Sequence, residues 1–475
     1  MTRRLSSLAL FFVLLGPVGR YPAAHDSFDY TPAMRPAFAS DTNRPDLPHY
    51  DMAITVDPAA RLLKGHLAMH FPNTMGAVLQ DAILRLYPNF PQDIGGDGGD
   101  VSDSVSNATV QGTPVVASYE AARTAVRLTL PIPAPPGAEV ALALDWQATF
   151  KPWHGTDDTL PLPSYYPQLA VWDGGWRLDV TRFPDHVYAT SSLYHVNVTV
   201  PEGWSIAASG SVINSATTNG QTTSEIVTGP IREWALSIGR FVQAQASNAG
   251  TRITVFHRRG DGLDDAAQRI ALHAAAALNT YNQRYGPYPF RNLEFHLLQA
   301  GRGEDIGVEY PGLIFILLNS GYTANTRFVV AHEIAHQWFY GMLGDDIYNE
   351  PWLDEAFAQF SPLLVEEQWA GPDAAQVVYQ AQILRLARRA TLAGGLSIHT
   401  YGTWSRYYAS VYGLGAQFLY TLRQTIGDRA FFAGMQRYVR DHKYGITHTA
   451  DFRTAMEQSS SQDLRSLFRD WLGRS

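Results

Sequence analysis

The stretch His332-Glu333-Ile334-Ala335-His336 lies near the middle of this 475-residue chain and indicates both its fold and its chemistry. Two histidines four positions apart share one face of a helix, so both rings can reach a single metal ion. Glu355 follows after 18 intervening residues and offers a third ligand from a later helix. Three protein ligands leave the fourth position of a tetrahedral ion open for water, as in a catalytic zinc site. Glu333 is then the expected general base beside that water.

The residues around this motif argue against an ordinary polar helix face. A helix is predicted over residues 327–342, and apolar side chains such as Val330 and Trp338 would bury it. Buried histidines and glutamates without partners cost on the order of several kcal/mol, and a metal ion removes that cost. The predicted ligands of one Zn²⁺ are His332, His336 and Glu355.

Composition is typical of a globular protein, with 45% hydrophobic and 17% charged residues. The formal charge of -8 gives no reason to expect nucleic acid or an anionic membrane as a partner. The chain has no cysteine, which excludes disulfides, thiolate nucleophiles and cysteine-bound metals. Zinc would therefore be held by nitrogen and oxygen atoms alone.

The first 24 residues have the pattern of a secretory signal peptide. Arg3 and Arg4 precede an apolar run at residues 8–15 that is too short to cross a bilayer, and Ala23-Ala24 offers small residues for cleavage. No later segment approaches the roughly 20 apolar residues of a membrane helix. We therefore predict a signal peptide over 1–24, a proline-containing linker over 25–46, and a secreted or extracytoplasmic protein without a membrane span or lipid anchor.

Hydrophobic periodicity divides the rest of the chain into two parts. From residue 50 onward many segments alternate apolar and polar residues with period two, as half-buried strands do. The pattern later becomes helical, beginning with the alanine-rich segment 266–285. These features predict an α+β protein with a largely β domain over residues 47–258 and a mainly helical domain over residues 259–475.

Three further segments carry a resemblance to a known family. The run HEIAHQWF, the 18-residue gap and the segment Trp352-Leu353-Asp354-Glu355-Ala356-Phe357-Ala358 resemble the aminopeptidase N family of zinc metallopeptidases, which are gluzincins. Gly307-Val308-Glu309-Tyr310-Pro311-Gly312 is similar to that family's G-x-M-E-N exopeptidase motif, although Ile306 replaces the first glycine, Val308 the methionine and Tyr310 the asparagine. Val411-Tyr412-Gly413-Leu414-Gly415-Ala416 resembles the segment that bears the family's catalytic tyrosine.

The resemblance implies a saddle-like, antiparallel N-terminal β-sheet domain followed by a thermolysin-like catalytic domain. It implies that Tyr412 donates a hydrogen bond to the oxyanion of the reaction. Glu309, with Gly307 and Val308 beside it, would bind the protonated amine of a peptide and hold its first peptide bond for attack. Family members commonly continue into a large helical C-terminal domain, so we expect a short form with a more open cleft.

Together these features predict a secreted, monomeric zinc aminopeptidase that acts on peptides with a free N-terminus. Two alternatives remain open: a zinc endopeptidase with the same chemistry, and a non-catalytic binding protein on a peptidase scaffold. A zinc epoxide hydrolase like the related leukotriene hydrolase is disfavoured. Gln359, four residues after Glu355, would share its helical face and steady the ligand shell.

Overall fold

The structure, a computed structural model, describes residues 28–90, 102–151, 156–181, 187–299, 303, 305–319 and 321–473. The predicted signal peptide lies outside these residues, as does the beginning of the predicted linker. Among the helices of the described ranges, none combines the length and the apolar character needed to cross a membrane.

Three β-sheets contain the strands of the N-terminal part within the described ranges. Their strands, in chain order, are β1 (His49–Asp57), β2 (Leu62–Pro72), β3 (Leu79–Arg85), β4 (Asp103–Val110), β5 (Thr113–Pro114), β6 (Ala117–Glu120), β7 (Ala125–Ala134), β8 (Glu139–Thr149), β9 (Thr159–Pro163), β10 (Gln168–Leu169), β11 (Leu193–Pro201), β12 (Ser205–Ala208), β13 (Ser211–Thr218), β14 (Gln221–Val227) and β15 (Ala235–Gly239).

The largest of these sheets has the strand order β13-β14-β11-β1-β2-β8-β4-β5. It is antiparallel, as predicted, except for the parallel pair of β1 and β11. The smaller sheets, β10-β3-β7-β6 and β12-β15-β9, pack their apolar residues into the same core. In β1 the side chains of Met52, Ile54 and Val56 are buried and alternate with more exposed neighbours, which is the period-two pattern of the sequence.

A five-stranded sheet and a set of helices form the C-terminal part. Its elements are β16 (Phe241–Asn248), β17 (Thr251–Arg258), α1 (Asp264–Arg284), β18 (Asn292–Gln299), β19 (Ile306–Val308), β20 (Leu313–Leu318), α2 (Ala324–Ala335), β21 (Gly344–Asp345), α3 (Trp352–Phe360), α4 (Pro362–Ala370), α5 (Pro372–Val378), α6 (Arg385–Ala387), α7 (Ile398–Tyr401), α8 (Trp404–Tyr408), α9 (Ala416–Ile426), α10 (Asp428–His442), β22 (Ile446–Thr447), α11 (Thr449–Ser460) and α12 (Arg465–Leu472). Two π-helical segments, Tyr379–Leu384 and Ala409–Gly415, interrupt the α-helices. This arrangement confirms the predicted α+β class.

The change from one sheet system to the other falls between Gly239 and Phe241, earlier than the predicted boundary at residue 258. β17 pairs in parallel with β18, and the sheet order is β16-β17-β18-β20-β19. β16 and β17 therefore belong to the sheet of the C-terminal part. Period-two alternation is common to half-buried strands of either sheet, so the sequence pattern alone did not separate them.

The predicted linker packs against the C-terminal part over its described residues, 28–46. Met34 is fully buried, and Nη1 of Arg35 donates to the carbonyl oxygen of Tyr288 at 2.7 Å. Further along, Nζ of Lys443 lies 2.6 Å from a carboxylate oxygen of Asp41. These contacts hold the described part of the predicted linker against the C-terminal part.

A buried arginine joins the two parts of the molecule. Arg232, only 2% exposed, precedes β15 in the N-terminal part. Its guanidinium donates to the carbonyl oxygens of Tyr340 at 2.8 Å, Ala189 at 2.9 Å and Gly445 at 2.9 Å. Tyr340 and Gly445 belong to the C-terminal part, so one side chain fixes the loop after α2 against the N-terminal sheets.

Candidate active site

Helix α2 carries the two histidines of the metal motif. A capping box closes its N-terminus, because Oγ1 of Thr323 accepts from the backbone N–H of Thr326 and Oγ1 of Thr326 accepts from that of Thr323. His332 stands in the last turn, and His336 is the residue that caps the C-terminus. Their Nε2 atoms lie 3.1 Å apart.

The helix ends at Ala335 rather than at the predicted residue 342. Tyr340 adopts a positive φ of 108°, and its N–H donates to the carbonyl oxygen of Leu343 at 2.8 Å. After Ala335 the chain therefore continues in short turns, and at Tyr340 the backbone leaves the helical conformation. The apolar residues that follow are buried as predicted, but they lie in this turn and not on a longer helix.

Helix α3 supplies the third candidate ligand. Oε2 of Glu355 lies 3.2 Å from Nε2 of His332 and 3.5 Å from Nε2 of His336. A tetrahedral zinc ion with bonds of about 2.0–2.1 Å holds its donor atoms about 3.3–3.4 Å apart. Oε2 of Glu355 is buried and accepts no hydrogen bond from any described residue. The donor types, their spacing and this unsatisfied oxygen all fit a zinc ion.

The charges around the cluster favour a cation. Burial alone would lower the pKa of His336, but Asp354, Glu309 and Glu355 outweigh it and raise that pKa. Burial alone would raise the pKa of Glu355, but the adjacent His336 and His332 outweigh it and lower that pKa. The cluster thus prefers a positive charge facing an ionised Glu355, which is the arrangement that a divalent metal ion completes.

Each ligand histidine has a second partner. Nδ1 of His336 is hydrogen-bonded to Oδ1 of Asp354, the residue before Glu355. The side chain of His332 is hydrogen-bonded to Gln359, whose Nε2 donates to the carbonyl oxygen of Gln382 at 3.1 Å. Such partners orient a metal-binding imidazole. Asp354 was not singled out from the sequence, although its place beside a ligand was a usable signal.

Strand β19 places the predicted exopeptidase motif beside the ligand helix. It lies at the edge of its sheet, antiparallel to β20. Donor atoms of Glu309, Glu333 and His336 lie within 4.8 Å of one another. Burial raises the pKa of Glu309 to about 8, with His336 opposing that effect and Glu355 adding to it.

Gly307 permits the close approach between β19 and the expected general base. A Cβ atom at this position would overlap the carboxylate of Glu333. That carboxylate is buried, and its Oε2 has no hydrogen-bond partner among the described residues. Burial raises the pKa of Glu333 well above its usual value. A glycine is therefore required where the strand passes over α2.

Tyr412 lies in the π-helical segment Ala409–Gly415 and faces the same cluster. Its hydroxyl donates to Oε1 of Glu355, and its ring lies parallel to that of His332 with centroids 6.0 Å apart. The segment packs closely on α3, since a Cβ at Gly415 would come within 2.7 Å of the Cβ of Ala356. Single-turn π-helical segments often occur at functional sites.

All these groups line one cleft of about 630 Å³. The N-terminal part also contributes to it through Glu233, which accepts hydrogen bonds from Ser164 and Tyr340. Burial raises the pKa of Glu233 to about 7. The sequence did not indicate Glu233, because nothing in its local pattern distinguishes it from other acids near a strand.

Comparison with known protein families identifies the C-terminal part. Residues 273–471 match the sequence profile of the peptidase family M1 domain. This segment of the chain is therefore similar to the domains of that family. The match covers the helices that bear His332, His336, Glu355 and Tyr412, and it confirms the resemblance to the aminopeptidase N family.

Sequence relatives align with less than half of this chain. Aminopeptidase N of Lactococcus lactis subsp. lactis is 28% identical over 247 residues, which are 47% of this chain and 28% of the relative. The mitochondrial aminopeptidase 2 of Saccharomyces cerevisiae is 26% identical over 222 residues, 43% of this chain and 23% of the relative. The chain thus spans about a quarter of the length of these curated relatives.

The fold as a whole is similar to that of solved M1 structures. The M1 zinc metallopeptidase of Deinococcus radiodurans has a TM-score of 0.65 at 22% identity, covering 90% of this chain and 94% of that one. A mutant of the Deinococcus enzyme bound to a Tyr-Ser-Ala substrate has a TM-score of 0.68 with the same identity and coverage. The N-terminal sheets and the M1 domain therefore form a two-part fold that is already known.

Proposed function

We propose that this chain is a zinc-dependent aminopeptidase that removes the first residue from peptides with a free N-terminus. The observation that carries the proposal is the position of Glu309, whose carboxylate lies within 4.8 Å of donor atoms of Glu333 and His336. A carboxylate at this distance from the reacting groups can pair with a peptide amine and leave the adjacent peptide bond beside the base. The names of the sequence relatives support the same activity.

His332, His336 and Glu355 would hold the zinc ion. When bound, the ion supplies Lewis acidity for the scissile carbonyl and lowers the pKa of water toward 7. Glu333 accepts a proton from the attacking water and then delivers it to the leaving amine. Its carboxylate lies within 4.8 Å of a donor atom of the ligand His336, which places it beside the water that attacks.

Two other side chains act on the substrate directly. The positive charge of the substrate amine would offset the burial that raises the pKa of Glu309, so that an ionised Glu309 pairs with the protonated amine. Gly307 and Val308 form the adjoining wall of the cleft. The hydroxyl of Tyr412 donates a hydrogen bond to the oxyanion that develops on the carbonyl oxygen. This hydrogen bond replaces the one that Tyr412 donates to Glu355 in the free protein. Asp354 and Gln359 keep the two ligand histidines oriented.

One experiment separates this function from its alternatives. The protein is incubated with a peptide that has a free N-terminus and with its N-acetylated twin, each with and without a zinc chelator. Release of single residues from the free peptide alone, abolished by chelation, is the expected result. Internal cleavage of both peptides would identify a zinc endopeptidase. Cleavage of neither would favour a non-catalytic binding protein on a peptidase scaffold.

Replacement of Glu309 by alanine should reduce kcat/KM for the free peptide by about 100-fold, because a charged partner of the amine is lost. Glu309→Gln, which keeps the shape and removes the charge, should show most of the same loss. Zinc content, measured by mass spectrometry of the metal, should stay at the wild-type value in both variants. Equal turnover in wild type and Glu309→Ala would exclude the proposed amine site.

We further propose that the protein is exported as a monomer. The predicted signal peptide over residues 1–24 supports export, and the N-terminal residue of the exported protein is expected near His25. Sequencing the N-terminus of protein recovered outside the cytoplasm tests the first point. Light scattering tests the second.

A further inference from the structure

Two exposed aromatic side chains line the cleft and take no part in the proposed chemistry. Trp404 and Tyr408, on helix α8, are 43% and 36% exposed. Their rings stack with centroids 5.9 Å apart and planes 16° apart. Large aromatic surface left in water inside a concave site is typical of a ligand contact.

This pair, hereafter the Trp404–Tyr408 pair, stands next to the reacting groups. The ring of Tyr412 lies 4.6 Å from that of Tyr408 and 6.0 Å from that of Trp404. Tyr412 in turn donates to the candidate ligand Glu355. Only one ring therefore separates the pair from the metal cluster, and a substrate side chain lying on it would belong to a residue beside the bond that is cleaved.

The strand that leads to Glu309 supplies further apolar surface to the same cleft. Ile306, at the start of β19, is 54% exposed and lines the cleft, as does Val308 two residues later. Phe328 of α2 adds a third apolar side chain. These residues and the Trp404–Tyr408 pair together provide enough apolar surface for a large side chain.

The charges in the cleft disfavour an acidic side chain. Five of its described lining residues are carboxylic acids, and none is lysine or arginine. The acids are Glu233, Asp305, Glu309, Glu333 and Glu355. A negatively charged substrate side chain would meet like charges at close range and leave its own charge without a partner.

We propose that the first residue of the substrate carries a large aromatic or aliphatic side chain, bound against the Trp404–Tyr408 pair and Ile306. The assignment rests on the proposed aminopeptidase function. Glu309 holds the amine and Tyr412 faces the carbonyl, so the Cα of the first residue lies between them. Its side chain leaves from that point toward the apolar surfaces. Trp404 is then a specificity-determining residue.

The test compares tripeptides X-Ala-Ala in which X is Phe, Leu, Ala, Arg or Glu. In the wild type, kcat/KM should be about 10-fold or more higher for Phe and Leu than for Ala, and lowest for Glu. Trp404→Ala should lower the Phe-to-Ala ratio of kcat/KM about tenfold. Trp404→Phe, which retains a ring, should restore most of the ratio.

Trp369→Ala is the matched control. Trp369, on α4, is 59% exposed and is not among the residues that line the cleft. Its removal should leave the Phe-to-Ala ratio unchanged. Equal losses on every peptide in Trp404→Ala would assign Trp404 a structural role and overturn the proposal. A tenfold preference for Arg over Phe as the first residue would also overturn the proposal. A preference for Phe that appears only when the second residue is varied, in the series Ala-X-Ala, would do the same.

Binding measurements distinguish this inference from the proposed function. The affinities of the same tripeptides for the Glu333→Gln variant, measured by calorimetry, report on the apolar surface without turnover. The order Phe, Ala, Glu from tightest to weakest is expected. That order in a protein that cleaves nothing would support the surface and refute the aminopeptidase. Equal cleavage and equal binding of all peptides would support the aminopeptidase and refute the proposed apolar surface.

Discussion

Glu333→Gln should lower kcat/KM by about 10²–10⁴-fold, the range that a positioned general base contributes. Glutamine has nearly the same shape as glutamate and fits beside Gly307, where no Cβ could be accommodated. It cannot accept a proton at neutral pH, so the attacking water would keep both of its protons. The measurement is kcat/KM on a free peptide, together with zinc content and melting temperature.

The control for this variant is an acid outside the cleft. Glu366→Gln, on α4, removes a carboxylate that does not line the cleft and should leave kcat/KM close to the wild-type value. Unchanged zinc content in Glu333→Gln would show that the loss arises in proton transfer and not in metal binding. Retention of more than about a tenth of the wild-type rate would mean that another group acts as the base.

Glu355→Ala should abolish stoichiometric zinc binding and with it all turnover. The remaining donors, Nε2 of His332 and Nε2 of His336, would have no charged ligand beside them. Loss of a residue that only supports a ligand typically weakens metal binding by about 10–100-fold, and the loss of a ligand itself should exceed that range. Zinc affinity is measured by competition with a chelator of known dissociation constant.

Tyr412→Phe provides the matched comparison, because it removes the hydroxyl that donates to the same carboxylate but removes no ligand. It should retain zinc and lose about 10²–10³-fold in kcat, as expected for an oxyanion donor. If Tyr412→Phe loses zinc as Glu355→Ala does, the hydroxyl serves the metal site and not the oxyanion. If Glu355→Ala binds zinc at wild-type affinity, the ligand set is wrong.

The candidate site residues could be found from the sequence because their spacing reflects local structure. The i, i+4 relation of His332 and His336 follows from the helix, and Glu355 lies on the next helix that packs against it. Glu309 and Tyr412 depended on the family resemblance. The structure brings all of these residues into one cleft.

Other features of the fold and the cleft could not be predicted, because they depend on contacts between residues that are distant in the sequence. Residues 241–258 alternate like the strands before them, and only the pairing of β17 with β18 assigns them to the second sheet. The helix of the metal motif ends at Ala335, and the turn that follows is held at Tyr340 by Arg232, a residue of the other part. Glu233 and Trp404 reach the cleft from positions distant in sequence from the motif.

The buried Arg232 has a consequence for how a substrate enters. A hinge-like opening between the two parts would separate its guanidinium from the carbonyl oxygens of Tyr340 and Gly445 and break two hydrogen bonds from a charged donor. Such hydrogen bonds contribute about 1.5–3 kcal/mol each, so the closed arrangement is favoured over open states. A peptide should then bind directly at the mouth of a permanently formed cleft, without a preceding domain motion. The observed rate constant of association should therefore increase linearly with peptide concentration.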